Sequence, residues 1–501
     1  MKVVLIYPDI IPGIAFYEGH YSQAVGLLSA LIRKENHQAT LIHITRDMVE
    51  EEFCQQVWTE NPDLMAFTCT SNSFPLVKKM ISWLRRHNFG ILTICGGPHV
   101  TLNPHDVISN KDIDIICVGE GDEALRSLCS KLDRGEDYSR ISNLWLKSRG
   151  EIIKNPLSPY IDVNKLPPAD RKIFPNYRNL MWERLGRATV MASRGCPYQC
   201  HYCCNHVLKK VGGVRNYTRF RSVKHLIDEL INILADFSFI NSFHFDDDNL
   251  FLDMKWFSEF SSIYNIAVRK PYSCNMRPNL LNEKTVKMLA ESGCDMIQMG
   301  IESGNEVIRN RVLNRGLSEE TIVKAFVLCR ASGIKVHANN MIGIPLESAG
   351  AVLDTIKLNS RVKPDSTKIF IFYPYKGTVL YDICVERNYL TERDSIDYFT
   401  DSVLSLPDLS REQIIMFRGY FRIFMRLYGA AHKFKGVTGT YLVHLIDKIL
   451  SLNSLARVMA GLYPIFRWLW LRIIKRSYKS FSYPIKVEPA GEVFLWKPKK
   501  M

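Results

Sequence analysis

No stretch of about 18 residues or more in this 501-residue chain is both apolar and free of charge, so no membrane-crossing helix is expected. The N-terminus, MKVVLIYPD, reads as a strand and lacks an A-x-A-like site behind an apolar run, so no secretory leader is expected. Short-period repeats and low-complexity tracts are also missing. The first 410 residues lack an excess of either charge, with 48 Lys+Arg against 47 Asp+Glu. The net charge of +14 therefore belongs almost entirely to residues 411–501, where 17 bases face 4 acids. A basic character confined to one end argues against nucleic-acid binding, and no recognised binding module accompanies it. What is present is ordinary for a globular protein with real cores, 47% hydrophobic and 23% charged. The 13 cysteines, in a chain expected in the reducing cytoplasm, point to metal binding or catalysis rather than disulfides.

Residues 1–135 alternate short buried strands with helices. The strands are Val3–Tyr7, Ala39–Ile44, Asp63–Thr68, Ile91–Cys95 and Ile113–Val118, with helical spacing over Ala24–Lys34 and Leu76–His87. That rhythm predicts a doubly wound, Rossmann-like parallel sheet. Such sheets bind ligands outside the carboxyl ends of their strands. Two turns lie there, Gly96-Gly97-Pro98-His99 and Gly119-Glu120-Gly121, where glycine lets a backbone approach a ligand closely. Residues 136–185 carry Pro156, Pro159, Pro167, Pro168 and Pro175 and read as a linker. Over 186–395 a second βα series is expected, with strands Thr189–Ala192, Ser242–Phe245, Tyr272–Asn275, Met296–Gly300, Lys335–Met341 and Lys368–Phe372. Six such units make a partial (β/α)6 barrel with its site at the strand C-terminal ends. Residues 396–501 lose the strand rhythm and read as a basic, mostly helical C-terminal region.

The strongest chemical signal is Ser193-Arg-Gly-Cys196-Pro-Tyr-Gln-Cys200-His-Tyr-Cys203. Three thiolates at C-x3-C-x2-C spacing on a loop can hold three irons of a cubane cluster. The fourth iron is then left open, the mark of a catalytic rather than a structural site. A zinc knuckle completed by His201, Cys204 or His206 is the alternative.

This spacing, with Tyr202 before the last cysteine, resembles the radical S-adenosylmethionine superfamily over about residues 187–385. The resemblance implies a [4Fe–4S] cluster on Cys196, Cys200 and Cys203, whose open iron chelates S-adenosylmethionine and, on reduction, yields a 5′-deoxyadenosyl radical. Further motifs follow in barrel order. Phe243-His-Phe-Asp-Asp-Asp-Asn249 ends the second strand, where the family receives the methionine amino group; Asp246 or Asp247 is the candidate, and a solvated acidic turn or helix cap is the other reading. The resemblance further places Arg277 near the ribose or carboxylate, Glu302 and Ser303 of Gly300-Ile-Glu-Ser-Gly304 on the same groups, and the Gly343 backbone of Met341-Ile-Gly-Ile-Pro345 against adenine. Phe372-Tyr-Pro-Tyr-Lys-Gly377 matches a sixth-strand segment.

The N-terminal region resembles the cobalamin-binding domain that often precedes this barrel. In that resemblance Gly96, Gly97, Pro98, His99, Gly119, Glu120 and Gly121 pack around cobalamin; a doubly wound domain that has lost its cofactor is the other reading, and His99 fits a loop-ordering role equally well. The D-x-H-x-x-G motif whose histidine binds cobalt elsewhere is absent, which implies cobalamin without a His axial ligand. The family expectation is methylation of an unactivated carbon or a phosphinate. Ring closure or oxidation, as in the anaerobic magnesium-protoporphyrin cyclase type, and a non-catalytic sensor are the alternatives. A small-molecule or lipid substrate and an external flavodoxin- or ferredoxin-like donor are the expected partners. In the tail, Val458, Leu462, Ile465, Phe466, Leu469 and Ile473 recur at helical spacing among Arg457, Arg467, Arg472, Lys475 and Arg476, with Trp468 and Trp470. That pattern fits either a helix lying on the inner face of a membrane or a helical cap on the barrel.

Overall fold

A computed structural model describes residues 1–10, 17–211, 217–392 and 399–480, together with two short strands, Lys486–Glu488 and Glu492–Phe494. Side chains beyond Trp468 lie outside the described residues, so the expected contributions of Leu469, Trp470, Arg472, Ile473, Lys475 and Arg476 are not assessed.

The N-terminal strands β1 (Lys2–Pro8), β2 (Gln38–Ile44), β3 (Leu64–Thr68), β4 (Leu92–Gly96) and β5 (Ile115–Cys117) form a parallel sheet in the order β2-β1-β3-β4-β5. The sheet is apolar on both faces because helices cover both, which is why its strands read as continuous hydrophobic runs. The strand order reverses at β1, leaving a crevice between β1 and β3 at their carboxyl ends.

The segment 136–185, expected as a linker, adds two strands to this sheet. β6 (Leu144–Ser148) pairs antiparallel to β5, and β7 (Glu151–Lys154) pairs antiparallel to β6. Leu144 and Leu146 point into the core, while Arg149 and Gly150 both take positive φ, 50° and 84°, as a two-residue hairpin turn requires. The chain then crosses helix Gln23–Lys34, where Val163 and Leu166 pack on Leu27 and Leu31, before entering the second domain.

There β8 (Arg187–Val190), β9 (Ser242–Phe245), β10 (Tyr272–Met276), β11 (Cys294–Glu302), β12 (Lys335–Ile342) and β13 (Ser366–Ile371) lie side by side in chain order, all parallel. The sheet is the curled half-barrel expected. Phe243, Phe245, Phe257, Phe260, Tyr264 and Tyr272 form its fully buried aromatic backing. Residues 399–480 contribute helices Arg411–Ala431, Gly436–Leu450 and Asn453–Ser480, in line with the helical reading of the tail.

Candidate functional site

Between the two domains lies a cavity of about 470 Å³. One wall comes from the N-terminal domain: Gly96, Gly97 and Pro98 after β4, and Gly119, Glu120 and Gly121 after β5. Its depth runs under the sheet, along Leu5, Ala66, Ile94 and Leu125. The facing wall is Ser193, Arg194, Gly195, Asn205, Tyr217 and Asp248 of the half-barrel. Mostly apolar walls with a few fixed polar groups suit a large cofactor. At Gly97, with φ 104°, a Cβ would come within 2.7 Å of the Cys69 carbonyl oxygen, so only glycine keeps this turn folded beneath the cavity. His99 does not line the cavity. Its Nδ1 lies 3.1 Å from Ser71 Oγ, its ring packs on Phe74, and burial lowers its pKa to about 4. Of its two expected roles, the structure places it in the loop-ordering one.

Ion pairs hold the two walls together. Arg194 donates to Asp122 at 2.7 and 2.9 Å and to Glu120 at 3.1 Å, while Arg219 reaches Glu120 at 2.6 and 3.1 Å. Glu120, expected to face the cofactor, thus spends its carboxylate on two arginines of the other domain and on the Ile161 amide. Neither arginine was singled out from the sequence, because nothing in the sequence links residues so far apart.

Arg194 and Ser193 pair with Arg219 and Phe220 in a short antiparallel ribbon, and the cysteine loop follows directly. Gly195, with φ 85°, sits so close to Tyr217 that a Cβ would meet its carbonyl oxygen at 2.6 Å. Cys196 and Cys200 are buried and Cys203 is half-buried. Asn249 Nδ2 donates to Cys196 Sγ at 3.6 Å, leaving its Oδ1 buried without a partner. Arg277 Nη1 donates to Cys200 Sγ at 3.3 Å, and its guanidinium stacks 3.8 Å from the Tyr198 ring. Burial pushes the Cys196 thiol up to about 11, so a cation must favour its thiolate. Among the described residues no three Cys, His, Asp or Glu converge on a single ion. Ligands that each take a different iron of a cubane need not converge, whereas a mononuclear zinc site must. His201, one of the groups considered for zinc, turns to the Val312 carbonyl, 2.9 Å from its Nδ1.

The two expected aspartates separate. Asp247 is fully buried and accepts from the Ala192 and Ser193 amides and the Ser193 hydroxyl. Burial lifts its pKa to about 6, against these bonds. It clamps the entry to the cysteine loop from a fully buried position. Asp246 is exposed just past β9, with Asn275 Nδ2 at 3.5 Å and His244 Nε2 at 3.6 Å from its Oδ1.

The residues after β11 also divide. Glu302, at φ 62° after a register shift in the strand, accepts from Tyr202 Oη at 3.1 Å, and Arg315 donates to the same hydroxyl at 2.8 Å. Burial raises the Glu302 carboxyl, with Arg315 opposing it. Tyr202 thus ties the cysteine loop to the end of β11. Ser303, in contrast, is fully buried; its Oγ lies 3.5 Å from Thr355 Oγ1 and accepts from Asn305 N, so it braces the backbone rather than facing the site. Gly343, with φ 74°, and Ile344 donate their amides to Glu347 Oε2 at 2.7 and 3.1 Å. Asn249, Arg315 and Glu347 join Arg194 and Arg219 as residues the sequence did not mark.

These features define an enzyme that brings a large N-terminal-domain cofactor up to a three-cysteine loop at the mouth of a half-barrel. Residues 190–358 match the family model of the Radical SAM superfamily, and residues 13–129 match that of the B12 binding domain. The chain is 26% identical over 439 residues to an uncharacterized methyltransferase of Pyrococcus horikoshii, covering 85% of this chain and 93% of that one. It is 22% identical over 446 residues to the anaerobic magnesium-protoporphyrin IX monomethyl ester cyclase of Rubrivivax gelatinosus, covering 85% and 78%. Among solved structures it resembles the radical S-adenosylmethionine methyltransferase TsrM of Kitasatospora setae, with TM-score 0.61, 17% identity and coverage of 77% and 76%. It also resembles the cobalamin-dependent enzyme OxsB, with TM-score 0.65, 14% identity and coverage of 95% and 75%; at these identities the likeness concerns the fold. The chain belongs to the radical S-adenosylmethionine enzymes that carry a cobalamin-binding domain. Its cofactors are a [4Fe–4S] cluster, S-adenosylmethionine and cobalamin.

Proposed function

We propose that this enzyme is a methyltransferase acting on an unactivated carbon or a phosphinate of a small-molecule substrate, with electrons from an external flavodoxin- or ferredoxin-like donor in the cytoplasm. The observation that carries the reading is the shared cavity, whose far wall, Ser193 to Gly195, runs directly into the cysteine loop. When bound, the cluster and S-adenosylmethionine supply a hydrogen-abstracting 5′-deoxyadenosyl radical, and cobalamin supplies the methyl group.

Cys196, Cys200 and Cys203 are the cluster ligands in this reading. Arg277 and Asn249 orient two of the thiols and shield them from water. Asp246 receives the methionine amino group, Glu302 fixes the end of β11 for the ribose, and the Gly343 turn presents backbone to adenine. The Gly96–Pro98 and Gly119–Gly121 turns hold the corrin against the barrel mouth.

Product analysis with methyl-labelled S-adenosylmethionine tests the reading: label in the product supports methyl transfer, and unlabelled product with turnover excludes it. Cys200→Ala should abolish cluster absorbance and S-adenosylmethionine cleavage together. A second reading, cyclisation or oxidation without methyl transfer on the same scaffold, is favoured by the similarity to the cyclase of Rubrivivax gelatinosus. A lipid or isoprenoid substrate gains support from the exposed apolar side chains of the C-terminal helices.

A further inference from the structure

The helix Gly436–Leu450 is apolar on its outer side as well as on the side where Val443, Ile446 and Leu450 pack on the core. Val437, Tyr441, Leu445 and Ile449 recur every four residues and form one stripe along the helix, and all four are exposed, Val437 at 87% and Tyr441 at 65%. After a break of a few residues the next helix repeats the arrangement, with Val458, Leu462 and Ile465 each more than half exposed. Phe434 and Leu452 extend the apolar surface at both ends of the first helix. Single exposed apolar residues are normal, but a continuous patch of this kind marks an interaction site.

The charges beside it have one sign. Between residues 432 and 468 the exposed lysines, arginines and acids are Lys433, Lys435, Lys448 and Arg457, all of them bases. The single acid, Asp447, is turned inward, where its carboxylate accepts from Tyr428 Oη at 2.5 Å and from Lys357 Nζ at 3.2 Å. Apolar side chains surrounded by bases match an anionic lipid surface, whose headgroups attract the bases while its acyl region takes the apolar stripe.

The geometry also fixes how the surface would be met. No single helix among the described residues is long and apolar enough to span a bilayer, and the two helices that pass together, Gly436–Leu450 and Asn453–Trp468, bend by 70°. Their inner sides are held down. Leu450 and Ala456 are buried, Tyr420 Oη of helix Arg411–Ala431 donates to the Met459 carbonyl at 3.2 Å, and the Tyr420 and Tyr463 rings stand 5.9 Å apart. Only the outer side is free to leave water.

We propose that the bent pair Gly436–Leu450 and Asn453–Trp468 is a monotopic membrane-binding surface that seats the enzyme on one leaflet of an anionic bilayer. The docking is independent of whether the reaction is methyl transfer.

The test is co-sedimentation of the full-length holoenzyme with vesicles of phosphatidylcholine alone and of phosphatidylcholine mixed with phosphatidylglycerol, beside the double variant V437E/Y441E. Both positions are exposed and neither lines the cavity, so the variant's cluster and cobalamin spectra check its fold. Lysine loss is read separately in K433Q/K435Q, which should weaken partition onto the anionic vesicles about fivefold per base. The expected result is sedimentation with anionic vesicles, less with neutral ones, and loss of at least tenfold in V437E/Y441E. Wild type that stays in solution with both vesicles overturns the proposal. So does a dimer in light scattering that V437E/Y441E dissociates without any vesicle binding, which would make the patch an interface between two copies.

Discussion

Arg277 brings a positive charge to within 3.3 Å of the Cys200 thiol, a proposed cluster ligand, and the Glu302 carboxyl offsets that charge in part. A hydrogen-bonded cation stabilises the more negative, reduced cluster. Arg277→Gln should therefore lower the reduction potential of the reconstituted cluster, on the order of 60 mV for a tenfold change in a one-electron equilibrium. Potentiometry followed by electron paramagnetic resonance measures this without turnover. Glu347 makes a prediction of a different kind. Burial lifts its carboxyl from 4.5 to about 8, so the folded protein holds it protonated where the unfolded chain does not. Its stabilising contribution is complete below 4.5 and is lost as pH rises towards about 8. Glu347→Gln is neutral at every pH and keeps an acceptor for the Gly343 and Ile344 amides. Thermal melts should show wild type losing stability relative to this variant across that window, while Glu347→Ala, which strands two buried donors, should cost roughly 2–5 kcal/mol throughout.

At the level of the element, helix Arg411–Ala431 decides where the C-terminal region sits. It opens with a capping box, Ser410 Oγ accepting from Gln413 N and Gln413 returning the bond, and it packs against the two helices that follow, through Tyr420 and Tyr428. Ser410→Ala should cost about 1 kcal/mol in chemical denaturation, and more if the second bond of Ser410, to Asn453, is also counted. Elements of this strength were legible in the sequence. The strand rhythm placed all eleven parallel strands within a few residues, because each is a short apolar run closed by glycine, proline or a polar turn. The hairpin of β6 and β7 was not legible, since its Arg149-Gly150 turn lacks the usual Asn-Gly or Asp-Gly pair and lies among prolines that suggest a linker. The C-x3-C-x2-C spacing was plain in the sequence, and the structure sets Cys196, Cys200 and Cys203 on one largely buried loop. Asp247 and Ser303 were misjudged for a common reason: a motif gives the residue type and position, whereas which way the side chain turns depends on neighbours such as Ser193 and Thr355 that are far away in the chain. Arg194, Arg219 and Arg315 were missed because long-range ion pairs leave no periodic trace.

For the molecule as a whole, the contact that matters is the one between the domains. Glu120 and Asp122 hold Arg194 and Arg219 at partly exposed positions, where each pair is worth less than a fully buried one but the group acts as a network. Glu120→Ala should loosen the closure by about 1–3 kcal/mol. Cobalamin content after anaerobic purification should fall, while iron and sulfide content stay near wild type, and raising the salt concentration should imitate the variant. Arg194, however, stands two residues before Cys196, so a residue that bonds Asp122 of the N-terminal domain is part of the strand that leads to the first proposed cluster ligand. Any agent that orders one side of this strand lowers the cost of ordering the other, and such coupling is reciprocal. Iron loading should therefore tighten cobalamin retention by the same factor by which cobalamin tightens retention of iron. Measured on apo, iron-loaded and cobalamin-loaded protein, the two factors should agree, and both should shrink together in Arg194→Gln. The arginine at the domain seam would then work as a thermodynamic hinge pin, setting how strongly whichever cofactor arrives first helps to retain the second.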